Sequence, residues 1–147
     1  MKRAYPAAFE NAVSVSNVND DKENPTKAPS SNFGMWVDIA APGFPGINST
    51  GPGDIYYEEP GTSMAAPIVA GVAGLVLAAE PELDASELTD RLLRTSIPDK
   101  LYADGMNDYY RPVEDGIGLV PLLGSGVVNA YLALNPDGIT TPPVVVV

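Results

Sequence analysis

The feature that most constrains the fold is the uncharged run from Met64 to Ala79, which is followed by the charged Glu80. Apolar side chains occupy nearly every face of a helix drawn through this run, a pattern typical of a helix enclosed on all sides. Gly71 and Gly74 each carry an intrinsic helix penalty of about 1 kcal/mol, which tertiary packing has to offset. The run therefore predicts a central buried helix over about residues 63–80, with small residues that let neighbouring backbones approach closely.

A transmembrane helix is the competing interpretation of the same run. A bilayer span needs ~20 predominantly apolar residues. The uncharged stretch is shorter than that and rich in Gly and Ala. We therefore expect no membrane span.

The run is introduced by the heptapeptide Gly61-Thr62-Ser63-Met64-Ala65-Ala66-Pro67. Ser63 falls in the first turn of the predicted helix, where unpaired N–H groups and the positive end of the helix dipole collect. Ser63 or Thr62 would serve there as an ordinary N-cap. Backbone donors at such a position can also stabilise negative charge that develops on a nearby oxygen.

The heptapeptide and the Ile-Val-Ala-Gly after it closely resemble the nucleophile segment of the subtilisin-like serine peptidases, also called subtilases or peptidase S8. The resemblance implies that Ser63 is the nucleophile and that its own N–H helps to hold the oxyanion. It also implies that Gly61 and Thr62 border the substrate, with Gly61 allowing close approach. Pro67 is expected to cost little, as a first-turn residue whose missing N–H would be unpaired anyway.

Strands are predicted upstream of the heptapeptide. Alternating valines over residues 13–18 indicate one strand, and a second is centred on residues 37–40. Pro42 and Gly43 are expected to close the second strand. Residues 43–61, rich in Gly and Pro, predict two short strands or an irregular hairpin. The first two segments are similar in order and sequence to core segments of the subtilisin-like family.

A second helix is predicted downstream. Asp84 and Glu87 have the spacing of a capping box, and the leucines behind them share one face up to about Thr95. A Gly-x-Gly turn at residues 124–126 and a short helix to Leu134 resemble the end of the family's catalytic domain.

Together these segments predict an α/β fold. The resemblance implies the C-terminal half of the subtilisin-like three-layer fold, with a mostly parallel sheet, over residues 1–136. Residues 137–147 are predicted to be a linker or the truncated start of a following segment.

The composition excludes several kinds of chemistry. The 147 residues contain no Cys, which excludes disulfides and a thiol nucleophile, and no His. A net charge of −11 disfavours a nucleic-acid partner. The lysines nearest in sequence to Ser63, Lys27 and Lys100, lie in polar segments with nothing expected to desolvate them, so a lysine base is not expected.

The absence of histidine limits what Ser63 can do. In the family the triad runs Asp, His, Ser along the chain, so these residues would keep only its last member. The oxyanion Asn is expected just before residue 1, since Asn11 and Asn17 lie inside or beyond the strand segment. We therefore expect the chain to be part of a serine endopeptidase, which hydrolyses peptide bonds, and to be inactive alone. Its expected partners are a peptide or protein substrate and the missing N-terminal half of the catalytic domain. The alternatives are a non-catalytic pseudo-protease or acidic interaction module, and an unrelated acidic α/β domain.

Residues 98–124 are predicted to be a surface insertion. A calcium site is the alternative there, because hard cations prefer several oxygens and many subtilisin-like enzymes bind calcium. The carboxylates that would ligate calcium are Asp99, Asp104, Asp108, Glu114 and Asp115.

The N-terminus shows no signal peptide, whereas the family resemblance implies a secreted protein.

Overall fold

The computed structural model describes residues 3–102, 110–112 and 119–138. Strands precede the long helix, and short elements follow it. In chain order the elements are β1 (Val15–Asn19), β2 (Ile39–Phe44), β3 (Ile47–Gly51), β4 (Ile55–Glu59), α1 (Thr62–Ala79), α2 (Ala85–Arg94), α3 (Pro98–Leu101), β5 (Tyr110–Pro112), β6 (Leu119–Pro121) and α4 (Ala130–Leu134), with a 3-10 turn at Pro136–Gly138.

Strands β1 and β2 are paired in parallel, as predicted. The prediction that Pro42 and Gly43 close the second strand is wrong, because both lie inside β2. Pro42 is opposite Val18, directly before a shift in the strand register. Such an irregularity is a place where a sheet tolerates a residue without an N–H.

Strands β3 and β4 form an antiparallel hairpin, which confirms the predicted pair of short strands. Its side chains are largely exposed, with Tyr56 the most exposed of its large apolar residues. The hairpin carries the chain from the end of β2 to Gly61, where α1 begins.

Helix α1 packs on the β1–β2 pair through one face only. Ala65, Val69, Val72 and Val76 are buried against β2, α2 and α4. The prediction of a helix enclosed on all sides is therefore wrong for the described residues, and its predicted bounds of 63–80 become Thr62–Ala79.

The opposite side of α1, here called the open face, consists of small and apolar residues. A Cβ added at Gly71 or Gly74 would have no neighbour within 4 Å. Leu75 is 52% exposed. The elements that contact α1 in the described part all lie on its other side, which explains the exposure. The open face comprises Ala66, Ala70, Gly71, Gly74 and Leu75.

In length and composition, α1 also meets the requirements for crossing a membrane, alone among the helices of the described residues. A core helix of a soluble protein meets the same two requirements. The criterion is therefore weak evidence for a span.

Helix α2 begins with the predicted capping box. The Asp84 carboxylate accepts hydrogen bonds from the N–H groups of Ser86 at 2.8 Å and Glu87 at 2.9 Å. The Glu87 carboxylate in turn accepts from the Asp84 N–H at 2.9 Å. Leu92 then anchors the helix in the core.

Arg91 ties the end of α1 to α2 and α4. Its guanidinium donates to both carboxylate oxygens of Glu80, at 2.8 and 3.0 Å, and to the carbonyl of Ala133 at 3.2 Å. The Arg91 hydrogen bond holds the pKa of Glu80 below its ordinary value, against a smaller opposing effect of desolvation. The same pair raises the pKa of Arg91.

This pair predicts a specific loss of stability in acid. A carboxyl whose pKa is lowered by folding stabilises the fold above its unfolded pKa of about 4.3 and loses that contribution as the pH falls through the folded pKa. We expect the parent to melt at a higher temperature than Glu80→Gln at neutral pH, and the two melting temperatures to converge below about pH 4. Thermal unfolding by circular dichroism at low protein concentration measures this.

Glu82→Gln is the matched control for that measurement. Glu82 is exposed and has no hydrogen bond or ion pair among the described residues. Its replacement should leave the acid limb of the stability profile unchanged. A Glu80→Gln profile parallel to that of the parent at every pH would contradict the role given to the ion pair.

The C-terminal segment docks on the free edge of β2. Gly124 takes a φ of 94°, and a Cβ there would lie 2.4 Å from the Ile39 nitrogen, so close approach requires glycine. The Ala40 N–H donates to the carbonyl of Gly126 at 2.9 Å. The Asn129 side chain then caps α4 by accepting from Leu132 at 2.9 Å. The predicted Gly-x-Gly turn and short helix are both present.

Two sequence predictions lie largely outside the described residues. The candidate calcium carboxylates fall in or beside the undescribed ranges 103–109 and 113–118, and the side chain of Asp99 is not described either. Of the predicted linker 137–147, only Asp137 and Gly138 are described, as part of the 3-10 turn. The calcium alternative and the domain boundary at 136 therefore stay predictions.

Candidate active site

The start of α1 is held against the end of β2 by backbone contacts. The Gly61 N–H donates to the carbonyl of Gly43 at 2.9 Å. Gly61 has a φ of 153°, a value that glycine adopts far more readily than other residues. The chain turns there from the hairpin into the helix, which places Thr62 and Ser63 as its first two residues.

Neither hydroxyl of the heptapeptide caps the helix. The N-cap is Gly61, whose carbonyl accepts from the N–H groups of Met64 at 3.0 Å and Ala65 at 3.2 Å, and no side chain caps α1. Thr62 is half-buried, whereas Ser63 is exposed and its hydroxyl has no hydrogen-bond partner among the described residues. The N-cap alternative for Ser63 and Thr62 is therefore wrong.

The first backbone donors of α1 are also unoccupied within the described part of the chain. The N–H groups of Thr62 and Ser63 make no hydrogen bond there. Unpaired N–H groups at a helix start carry the positive end of the helix dipole. An anionic oxygen beside Ser63 would meet donors that are already oriented.

Pro67 lies deeper in α1 than predicted. Because Gly61 is the N-cap of α1, every N–H group from Ala65 onward has a helical acceptor available, the first being the Gly61 carbonyl. The expectation that Pro67 replaces an N–H that would be unpaired anyway is therefore wrong. Its ring instead removes the donor that would bind the Ser63 carbonyl one turn earlier.

Lys27 differs from its expected environment. It is partly buried, and burial lowers its pKa, so the prediction that nothing desolvates it is wrong. Its ammonium donates to the carbonyls of Ala28 at 2.8 Å and Ser31 at 3.0 Å, and it lies 5.6 Å from the centre of the Phe33 ring. These contacts commit Lys27 to the loop after β1 and do not direct it to Ser63.

Asn17 lies beside the start of α1, although the sequence was used only to exclude it as the oxyanion Asn. It lies on β1, is 0% exposed, and its side-chain amide donates to the Gly43 carbonyl at 3.3 Å. Its Oδ1 has no hydrogen-bond partner among the described residues. The polar pair Ser16-Asn17 between Val15 and Val18 was the signal that could have identified it.

No metal site is formed by the described side chains. Within residues 3–102, 110–112 and 119–138, no group of three or more Asp or Glu residues is arranged to hold an ion. Asp38, directly before β2, accepts instead from the N–H and hydroxyl of Ser14, both at 2.7 Å.

Comparison with known proteins places these features in a family. The subtilase family profile (Peptidase_S8) matches residues 1–120. The chain is 35% identical over 130 residues to M-protease of Shouchella clausii, and 42% identical over 134 residues to the halolysin-like extracellular serine protease Nep of Natrialba magadii. These alignments cover 88% and 91% of the chain but only 28% and 21% of the two relatives.

Solved structures agree with the sequence comparison. Fervidolysin from Fervidobacterium pennivorans, a keratinolytic enzyme related to subtilisin, superposes with a TM-score of 0.69 at 25% identity, covering 89% of this chain and 20% of that protein. A protease from Pseudoalteromonas arctica gives 0.67 at 26% identity, covering 91% and 38%. The predicted α/β fold and family are thus confirmed. The chain belongs to the subtilase family of subtilisin-like serine proteases.

Proposed function

We propose that residues 1–147 contribute the nucleophile-bearing C-terminal part of the catalytic domain of a subtilisin-like serine endopeptidase. The observation that carries the proposal is the state of Ser63. Its side chain is exposed, and within the described residues neither its hydroxyl nor the N–H groups of Thr62 and Ser63 make a hydrogen bond. A serine serving only as a cap would have its hydroxyl turned onto those donors.

In the proposed reaction, Ser63 Oγ attacks the carbonyl carbon of the scissile peptide bond and gives its proton to a base. The carbonyl oxygen becomes an oxyanion and accepts a hydrogen bond from the Ser63 N–H. Collapse of the tetrahedral intermediate breaks the C–N bond, and the amine leaves with the proton from the base. Water then hydrolyses the acyl-enzyme. Gly61 and Thr62 border the substrate chain in this arrangement.

The base has to come from polypeptide outside residues 1–147, because this sequence contains no histidine. The same polypeptide would supply the Asp and the oxyanion Asn. In subtilisins themselves, removing the catalytic histidine lowers turnover by about 10⁶, equivalent to roughly 8 kcal/mol. Residues 1–147 alone are therefore expected to be inactive.

The open face of α1 supports the same assignment of partners. An apolar helix is suited to close packing against another backbone when Leu75 is half exposed and a Cβ added at Gly71 or Gly74 would meet no described atom within 4 Å. The proposed partners are a peptide or protein substrate and the polypeptide that would supply the base, the Asp and the oxyanion Asn, here called the N-terminal polypeptide. The name of the Natrialba magadii relative describes an extracellular protease, and we extend that location to this protein as part of the proposal.

The test uses a fluorophosphonate probe, which reacts with activated serines. The chain is treated alone and after mixing with the preceding part of the M-protease catalytic domain, and the modified residue is identified by mass spectrometry. Labelling of Ser63 only in the mixture is the expected result. A folded complex that stays unlabelled would contradict the proposed endopeptidase function and favour a non-catalytic interaction module.

A further inference from the structure

Asn17 is an energetically unfavourable residue at its buried position. A buried amide oxygen without a partner costs about 1–3 kcal/mol, and the one hydrogen bond that the Asn17 side chain makes among the described residues is long, at 3.3 Å. An apolar side chain of similar size would avoid the penalty. The stability of the core therefore does not explain an asparagine here, and its contacts show what else it does.

Those contacts converge on the carbonyl of Gly43. This oxygen accepts from the Asn17 side chain at 3.3 Å and from the Gly61 N–H at 2.9 Å. Two donors occupy both lone pairs of a carbonyl and fix its direction. Gly61 is the N-cap of α1, and Ser63 follows two residues later.

Packing leaves this arrangement little freedom. A Cβ added at Gly43 would lie 2.5 Å from the Gly61 carbonyl oxygen and 2.7 Å from Asn17 Oδ1. The Asn17 side chain and Gly61 thus both lie against Gly43, with no room for a side chain there. A shift of the Asn17 amide would be passed to Gly61 and from there to the start of α1.

We infer that Asn17 is a positioning residue for Ser63 that acts through the Gly43 carbonyl and the Gly61 N–H. This inference rests on the proposed function of Ser63. In it, Asn17 does not touch the substrate. It holds the helix start at the distance from β2 at which the Ser63 hydroxyl meets its base. Small displacements of a reacting group have large effects on rate.

The first test removes the donor. In the complex with the N-terminal polypeptide, Asn17→Leu should lower the rate of fluorophosphonate labelling of Ser63 about tenfold. Hydrogen exchange of the Gly61 amide, followed by NMR, should accelerate by a similar factor because its acceptor is no longer held. Ser16→Ala is the matched control, since Ser16 is buried on the same strand and donates to Leu123 at 2.8 Å on the other side of β1. It should change both quantities less than about twofold.

The second test separates positioning from a general loss of stability. In Asn17→Asp an ionised carboxylate would point an acceptor at the Gly43 carbonyl, whereas the protonated acid would restore a donor. Burial raises the pKa of such a carboxyl. The labelling rate of Asn17→Asp relative to the parent should therefore recover as the pH is lowered from about 8 to about 5, in protein shown by circular dichroism to be folded throughout.

The outcomes are distinguishable. Unchanged Gly61 exchange in Asn17→Leu overturns the inference, and so does accelerated exchange with an unchanged labelling rate. If the parent complex is not labelled at all, the proposed function fails. The inference that Ser63 is positioned for reaction then fails with it, while the exchange data still decide whether Asn17 holds Gly61.

Discussion

Replacing Ser63 by alanine is expected to abolish fluorophosphonate labelling of the assembled protein and to lower its peptidase activity by about a millionfold, the loss known for the nucleophile of subtilisins. The reason is chemical, since the exposed Ser63 hydroxyl is the atom proposed to attack. The fold should survive, because that hydroxyl makes no hydrogen bond among the described residues. Mass-spectrometric site mapping and peptide hydrolysis measure the two losses.

Ser86 provides an internal control for that result. It is exposed and occupies the second position of α2, as Ser63 does in α1. Its N–H, however, is bound by the Asp84 carboxylate at 2.8 Å. Ser86→Ala should retain full labelling and activity. Labelling that persists in Ser63→Ala at the parental rate would remove Ser63 from the reaction.

The heptapeptide made the family and the position of the candidate nucleophile predictable from sequence. Part of this short pattern has a local structural reason, such as the positive φ of Gly61, which turns the chain into α1. The hairpin and the capping box at Asp84 were predictable for the same reason. Turns and caps are decided by residues close together in the chain.

Properties that depend on distant residues were predicted less well. The composition of α1 indicates burial on all sides, but burial also needs neighbours, and the described residues supply them on one face only. The environment of Lys27 was misjudged similarly, and the contact of Asn17 with Gly43 was not predicted, because both depend on segments that pack against β1. The extent of β2 past Pro42 depended on a register shift in its partner strand.

Substitutions on the open face of α1 give the second large expected effect. Small ones should stabilise the isolated chain, whereas a large one should weaken its assembly with the N-terminal polypeptide. In the isolated chain, Gly71→Ala and Gly74→Ala should each stabilise α1 by about 1 kcal/mol, because the new Cβ meets nothing and alanine is the better helix former. A larger side chain at the same place should prevent a neighbouring backbone from approaching. We expect Gly74→Leu to reduce complex formation and Ser63 labelling at least about a hundredfold.

Comparing the isolated chain with the mixture tests whether the open face binds the proposed N-terminal polypeptide. Association is measured by titration calorimetry, and helix stability by circular dichroism of the separate chain. Ala85→Leu, at the exposed first position of α2, is the control for added apolar bulk and should leave association unchanged. If Gly74→Leu bound the N-terminal polypeptide with parental affinity, the open face would not be the contact, and the exposure of Leu75 would need another explanation. If both variants weakened binding equally, the effect would be non-specific. Only a selective loss at Gly74 assigns the small residues of α1 to backbone packing, the role that their sequence first indicated.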